Sequence, residues 1–160
     1  MATYCKTINS PIGFLKLVSD EQRLKSILFV NDGNDNSPVL PEILGKETLQ
    51  INEYFEGLRF RFDLDLEIEG SKFQWKVWKL IKLVGYGKTR KYGEIAREIH
   101  SRNFSRAVGM ANARNPLPII IPCHRILGNN GKLTGYSGGL EKKKWLLVHE
   151  QKYSGNSLFI

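Results

Sequence analysis

YGEIAREIHSRNFSRAVGMANARNPLPIIIPCHR, residues 92–125, ends in Asn115 to Arg125, the stretch that organises the rest of the chain. In its first part Tyr92, Ile95, Ala96 and Ile99 recur at helical spacing, a polar link follows at Ser101 to Asn103, and a second helix is expected from Phe104 to about Arg114. Two short helices joined by a tight link predict a helix-turn-helix. Further on, the β-branched run Ile119 to Ile121, framed by Pro116, Pro118 and Pro122, predicts a short buried strand. Pro122 has no N–H for a sheet ladder, so the strand should end there, with Cys123 at its rim. A thiol becomes a nucleophile as thiolate, and His124 beside it is positioned to take the proton, directly or through one water. The competing reading is a small buried hydrophobe, a common use of an unpaired cysteine. His124 and Arg125 put Cys123 at a boundary between apolar and polar residues, and Glu150, one of four acids after residue 70, is the candidate to orient the imidazole.

The second helix is almost without bulk. Ala107, Gly109, Ala111 and Ala113 line it, with Arg106 and Arg114 at its ends. Small residues permit either tight packing inside the protein or close approach to a narrow groove with an arginine reaching in.

Outward from this stretch, the chain reads as α+β in two domains, 1–70 and 71–160. Tyr4 to Ile8, Phe14 to Val18 and Leu24 to Val30 are apolar runs between turn-type segments and predict three antiparallel strands. Leu44, Thr48, Ile51, Phe55 and Leu58 follow helical spacing, and Arg59 to Glu69 alternates apolar and charged residues as a half-buried strand would. Gly70 ends that alternation. Ser71-x-x-Gln74 is a capping box for a helix with Phe73, Val77, Leu80 or Ile81, and Val84 on its core face. A last helix is expected from Leu140 to Gln151, followed by a tail.

Charge divides the chain in the same place. Residues 1–70 carry 7 Lys or Arg against 12 Asp or Glu, whereas residues 71–160 carry 17 against 4. So basic a second half points to a polyanion, and nucleic acid is the expected partner. No apolar run reaches the roughly 18 residues of a membrane span and no signal peptide is visible, so the expectation is a cytoplasmic protein, nuclear in a eukaryote, with no membrane partner. Cys5 and Cys123 form no C-x-x-C pair, and no metal and no cofactor are expected.

Phe73-Gln74-Trp75-Lys76-Val77-Trp78, Tyr92-Gly93-Glu94-Ile95-Ala96, Arg106-Ala107-Val108-Gly109, Asn115-Pro116, Pro122-Cys123-His124-Arg125 and Tyr136-Ser137-Gly138-Gly139 together resemble the O6-alkylguanine-DNA alkyltransferases. The resemblance implies a ribonuclease-H-like N-terminal domain, with a small antiparallel sheet and a helix, before a mostly helical C-terminal domain. It implies a monomer that flips O6-alkylguanine, and also O4-alkylthymine, out of double-stranded DNA and moves the alkyl group irreversibly to its own cysteine. Cys123 is then the acceptor, His124 the base, Glu150 the residue that orients it, Tyr92 the donor to the leaving guanine and Asn115 a brace of the active-site loop. Arg106, Ala107, Gly109, Ala113, Arg114 and Arg125 are expected to meet DNA, and Tyr136 and Ser137 the lesion. A lesion sensor that uses the helix-turn-helix without chemistry is the main alternative, and a Cys-His hydrolase a third.

Overall fold

Two residues, Pro11 and Ile12, turn β1 (Tyr4–Ser10) into β2 (Gly13–Ser19), with Ser10 paired to Gly13 across the hairpin. Gly13 has φ 103°, a value that side chains disfavour, and the Ser10 hydroxyl donates to the Gly13 carbonyl at 2.6 Å. The Asp20 carboxylate closes the next turn by accepting from the N–H groups of Gln22 and Arg23 at 2.8 and 2.7 Å, which brings β3 (Leu24–Val30) antiparallel to β2. The three expected strands are therefore present, in the order β1-β2-β3. The computed structural model describes residues 2–155; the expected tail beyond Gly155 lies outside the described residues.

Leu15, Leu17 and Ser19 alternate along β2 as fully buried positions. α1 (Glu42–Phe55) packs against the sheet through Leu44, Glu47, Gln50, Ile51 and Tyr54. That face is rotated from the expected one: Leu58 lies beyond the helix and is 70% exposed, while Tyr54 takes the buried place. Gln50 bears on a second correction. Its side-chain amide donates to the Asp63 carbonyl at 3.0 Å and accepts from the Asp63 N–H at 2.8 Å, so residues 59–69 are tied to the helix in place of a strand ladder. The predicted strand there is reduced to one parallel bridge, Leu66 with Leu24. Alternation survives as half-buried Phe62, Leu64 and Leu66 between exposed Asp63 and Asp65, because alternating burial does not require a paired backbone.

The chain divides into two units, Met1–Glu69 and Gly70–Ile160. The second opens with α2 (Lys72–Lys82), whose capping box is formed: the Ser71 hydroxyl accepts from the Gln74 N–H, and the Gln74 side chain accepts from the Ser71 N–H. α2 buries Val77, Trp78 and Ile81, and the Trp78 indole donates to the Ala111 carbonyl at 2.9 Å. β4 (Arg90–Lys91) leads directly into α3 (Tyr92–Ile99), a 3-10 turn follows at Arg102–Phe104, and α4 (Ser105–Ala113) packs on α2 and α3. The helix-turn-helix read from residues 92–114 is present. β4 pairs in parallel with β5 (Ile126–Leu127), which fixes the residues just after Cys123 beside the start of α3. α5 (Leu140–Tyr153) ends the unit, with Lys143, Leu146, His149 and Glu150 buried.

The isoleucine run is not a strand. Ile119 has φ 79°, left-handed for a β-branched residue, and the Ile121 N–H closes a tight turn onto the Leu117 carbonyl at 2.8 Å. Leu117 and Ile119 to Ile121 are all buried, so the burial was legible and the backbone was not. Left-handed geometry at such a residue costs energy, held here by the packing around it, and it lies four residues before Cys123.

Candidate active site

Cys123, His124 and Arg125 form one 3-10 turn between Pro122 and β5. Cys123 is 3% exposed, which corrects the expectation of a thiol at a strand rim: the sulfur lies inside the unit. Burial pushes its thiol up to about 11, while the Asn115 amide, the Lys143 charge and the N–H groups of Cys123 and His124 pull the other way. At neutral pH the group is a thiol that needs a base when it reacts, not a standing thiolate.

The base is beside it in the turn. His124 is fully buried, and its Nε2 lies 2.6 Å from Oε2 of Glu150. Burial lowers the imidazole's affinity for a proton, with Glu150 opposing, and the net shift is downward, so the ring is neutral. Burial also pushes the Glu150 carboxyl up, but His124 and Arg125 more than offset this and hold it well below the usual carboxylate range. A neutral imidazole facing a carboxylate must donate from Nε2, which leaves the lone pair on Nδ1. Nδ1 is buried and makes no hydrogen bond among the described residues.

Arg125 departs from expectation. It is 6% exposed, and its Nε and Nη2 donate to the two oxygens of Glu150 at 2.7 and 2.9 Å. Its Nη1 donates to the Val84 carbonyl at 2.6 Å, and the guanidinium sits over the Tyr86 ring at 5.6 Å. Its fork is used inside the unit and not at the surface: Arg125 clamps Glu150 in the bidentate geometry that suits a carboxylate. The Gly87 N–H gives Glu150 a further bond at 3.2 Å. Gly87 must be glycine: its φ is 74°, and a Cβ there would meet the Ser154 Cβ at 2.6 Å. Glu150, at the buried face of α5, thus accepts from three different residues.

Asn115, 6% exposed, donates to the Ile121 carbonyl at 2.7 Å and accepts from the Leu117 N–H at 2.9 Å, bridging the turn that carries Ile119. Tyr92, at the start of α3, is half-buried and donates to the Thr134 carbonyl at 3.2 Å. Tyr136 turns its hydroxyl inward; burial raises its pKa well above the ordinary tyrosine value, with Cys123 and Glu150 adding to it. Ser137 beside it is exposed. On α4 and its C-cap, Arg106, Ala113 and Arg114 are exposed and Ala107 and Gly109 half-buried, whereas Ala111 is buried and serves packing.

Two residues of the site were missed in the sequence. Asn112, 2% exposed, donates to the Cys123 carbonyl at 3.3 Å and to the Tyr92 hydroxyl at 3.4 Å, tying the cysteine to the tyrosine. Its signal was a polar residue on the core face of α4. Lys143 is fully buried, and its ammonium donates to the Ile126 and Thr134 carbonyls at 2.6 Å each. Burial brings it down to about 8, with Cys123 pulling it back up. Within Lys142-Lys143-Lys144 nothing in the sequence singles it out.

The chain is similar to known proteins along both units. Residues 72–152 match the DNA binding domain of 6-O-methylguanine DNA methyltransferase, and residues 3–68 match its ribonuclease-like domain. A methylated-DNA--protein-cysteine methyltransferase of Mycolicibacterium paratuberculosis is 41% identical over 157 residues, spanning 96% of this chain and 95% of its own. One of the same name from Methanosarcina acetivorans is 44% identical, with 92% and 97% covered. The crystal structure of Mycobacterium tuberculosis O6-methylguanine methyltransferase superposes with a TM-score of 0.85 at 39% identity, covering 95% of this chain and 94% of that one. A Mycobacterium tuberculosis OGT structure in complex with DNA gives 0.84 at 40%, with 93% of each chain covered. With profiles matched along both units and relatives covered almost end to end, the chain belongs to the 6-O-methylguanine DNA methyltransferase family.

Proposed function

We propose that this chain repairs DNA by transferring the alkyl group of O6-alkylguanine, and of O4-alkylthymine, to the Cys123 sulfur in a single irreversible turnover. The observation that carries the reading is the buried series Cys123, His124, Glu150, in which the imidazole is neutral and its Nε2–H is committed to Glu150 at 2.6 Å. In the step, His124 Nδ1 takes the thiol proton through one water and the sulfur attacks the alkyl carbon. The carbon–O6 bond breaks, and the departing guanine receives a proton from the Tyr92 hydroxyl. Glu150, clamped by Arg125, stabilises the imidazolium that forms. The product is a thioether, which water does not cleave under mild conditions, so the protein is consumed.

A guanine stacked in a duplex cannot present its alkyl carbon to a sulfur buried this deeply, so the base must leave the helix. The helix-turn-helix is the element for that work: α4 presents Arg106 and Arg114 to solvent, and Arg106 fills the space the base vacates. Asn115 and Asn112 hold the active-site turn, and Tyr136 and Ser137 face the lesion.

Intact mass after incubation with duplex containing O6-methylguanine tests this reading. The expected result is a gain of one methyl, mapped to Cys123 and absent in Cys123→Ala. Unchanged mass with tight lesion binding would make the protein a sensor, and repeated turnover of an ester a hydrolase.

A further inference from the structure

Arg106 and Met110 lie at i and i+4 on one face of α4, and Arg114, at i+8, caps its C-terminal end. The opposite face holds buried Val108, Ala111 and Asn112. Met110 is 51% exposed, flanked by exposed Ala113 and half-buried Gly109. The outward surface of the helix is thus low except for one flexible apolar side chain midway between two guanidinium groups. α4 has no acidic residue, and its unit carries 17 basic residues against 4 acidic ones, so the surface around Met110 suits a polyanion and repels an acidic one.

We infer that Met110 is an apolar wedge for the minor groove of duplex DNA, a residue that positions the DNA for base extrusion. This rests on the DNA reading above and adds a specific residue to it. Minor-groove proteins use methionine among other apolar side chains to press on or between base steps, where the sugar walls and base edges offer it contact that water does not. The spacing fits: four residues of helix advance about 6 Å, one to two base-pair rises, so Met110 meets the duplex next to the gap that Arg106 fills. Three rotatable bonds let the thioether adapt to any neighbouring sequence, as lesions at arbitrary positions require. On a helix otherwise built for close approach, a side chain of this size either enters the groove or holds the helix away from it.

The test uses the full chain as wild type, Met110→Ala, Met110→Leu, Arg106→Ala and Arg114→Ala. Two quantities are read: duplex affinity across a salt series, and single-turnover alkylation on duplex and on free O6-methylguanine base. For a wedge, Met110→Ala weakens duplex binding about tenfold, and the ratio of duplex rate to free-base rate falls by a similar factor. Met110→Leu restores most of both. Because a thioether releases no counterion, the salt slope stays at the wild-type value in both Met110 variants, whereas each arginine variant lowers it by about one. Affinity that is unchanged or tighter in Met110→Ala overturns the wedge, the tighter result making Met110 an obstacle. If wild type alkylates the free base but binds duplex without salt dependence, the DNA reading itself fails. If the arginine variants behave as stated and Met110→Ala is neutral, only the wedge fails.

Discussion

Each unit buries a glutamate on the inner face of a helix, and the surroundings treat the two in opposite ways. Glu150 on α5 is reached by the Arg125 fork, the Gly87 N–H and His124 Nε2–H. Glu47 on α1 is just as inaccessible, yet neither of its oxygens has a hydrogen-bond partner among the described residues. Burial pushes both carboxyls up. At Glu150 the neighbours reverse the shift and keep it ionised, whereas at Glu47 burial, with the Asp20 charge adding, raises it to about 8. The same residue type at the same depth is thus a fixed charge in one unit and a neutral acid in the other. Partners, not depth, decide the charge state, and only the site with partners has an imidazole to orient.

The largest effect should come from breaking the paired site. Glu150→Gln leaves the Arg125 charge buried without its counter-ion, a loss of about 3–5 kcal/mol by the usual cost of splitting a buried pair. It also replaces one carboxylate oxygen by an amide NH2 and removes the charge that fixes the His124 tautomer, so transfer should slow by about 10²- to 10⁴-fold, the range that general-base catalysis supplies. Urea unfolding and single-turnover alkylation check the two parts. If the rate were kept while stability fell, Glu150 would be a scaffold residue only.

The titration of His124 sharpens the same point. Because its folded-state value is depressed, the wild-type rate should hold steady as pH falls through 6.5, the ordinary histidine value. In His124→Ala the thiol must be ionised by hydroxide, so the rate should rise roughly tenfold per pH unit toward the thiol value of about 11. A wild-type rate that climbed with pH in the same way would remove His124 as the base.

Why one glutamate could be read from the sequence and the other could not follows from what each needs. Glu150 was legible through chemistry, because a Cys-His pair calls for a third group and few acids were available. The burial of Arg125 was not legible, because the sequence does not display the carboxylate that draws its fork inward. Glu47 lies on the core face of α1 with Gln50, and the helical spacing gave that face to Thr48 and Ile51, one position on from each. Gln50 could have been found only by knowing that Asp63 returns to meet it. Ile119 was placed correctly in the core and wrongly in a strand, since the turn's left-handed residue is imposed by neighbours and β-branched composition argues against it. Strands β1 to β3, α2 with its cap, and α3 and α4 were legible because each follows from local pattern alone.

Glu47→Gln probes the unpaired site, and here the expected sign is a gain. Below about 4.5, the ordinary carboxyl value, Glu47 is protonated in the folded and unfolded chain alike. From there up to about 8 the unfolded chain gives up the proton while the folded chain keeps it, so this residue's contribution to stability falls as pH rises, by at most about 1.4 kcal/mol per unit. Glutamine, similar in shape and without a proton to lose, should match wild type in acid and exceed it by a few kcal/mol at pH 8. Unfolding followed by circular dichroism across that window measures the difference. His124 and Glu150, with depressed values, contribute in the opposite sense and lose stability as pH falls below about 6.5 and 4.5. A constant difference between Glu47→Gln and wild type at every pH would show that Glu47 is ionised in the fold and that the contrast between the two glutamates is wrong.

The smallest effect concerns how the first long helix of each unit begins. α2 has its reciprocal cap, with the Gln74 N–H bonded to Ser71 Oγ at 3.1 Å and the Ser71 N–H to Gln74 Oε1 at 2.9 Å, whereas α1 follows Pro41 with no side-chain cap. Ser71→Ala should cost about 1 kcal/mol, because one helix N–H returns to water without a protein acceptor. Trp75 and Trp78 on α2 report it by fluorescence during urea unfolding. The converse change, Pro41→Ser, supplies α1 with a hydroxyl at a residue whose ψ of 156° already suits a cap. It also frees the unfolded chain from a ring that restricts it, which costs about 0.4–1 kcal/mol and nearly offsets the new bond. The net shift should therefore be close to zero, so the two helix starts differ in means more than in stability. A gain of a full kcal/mol in Pro41→Ser would show that α1 lacks a cap it needs, and that the first unit is the less completed of the two at its surface as well as in its core.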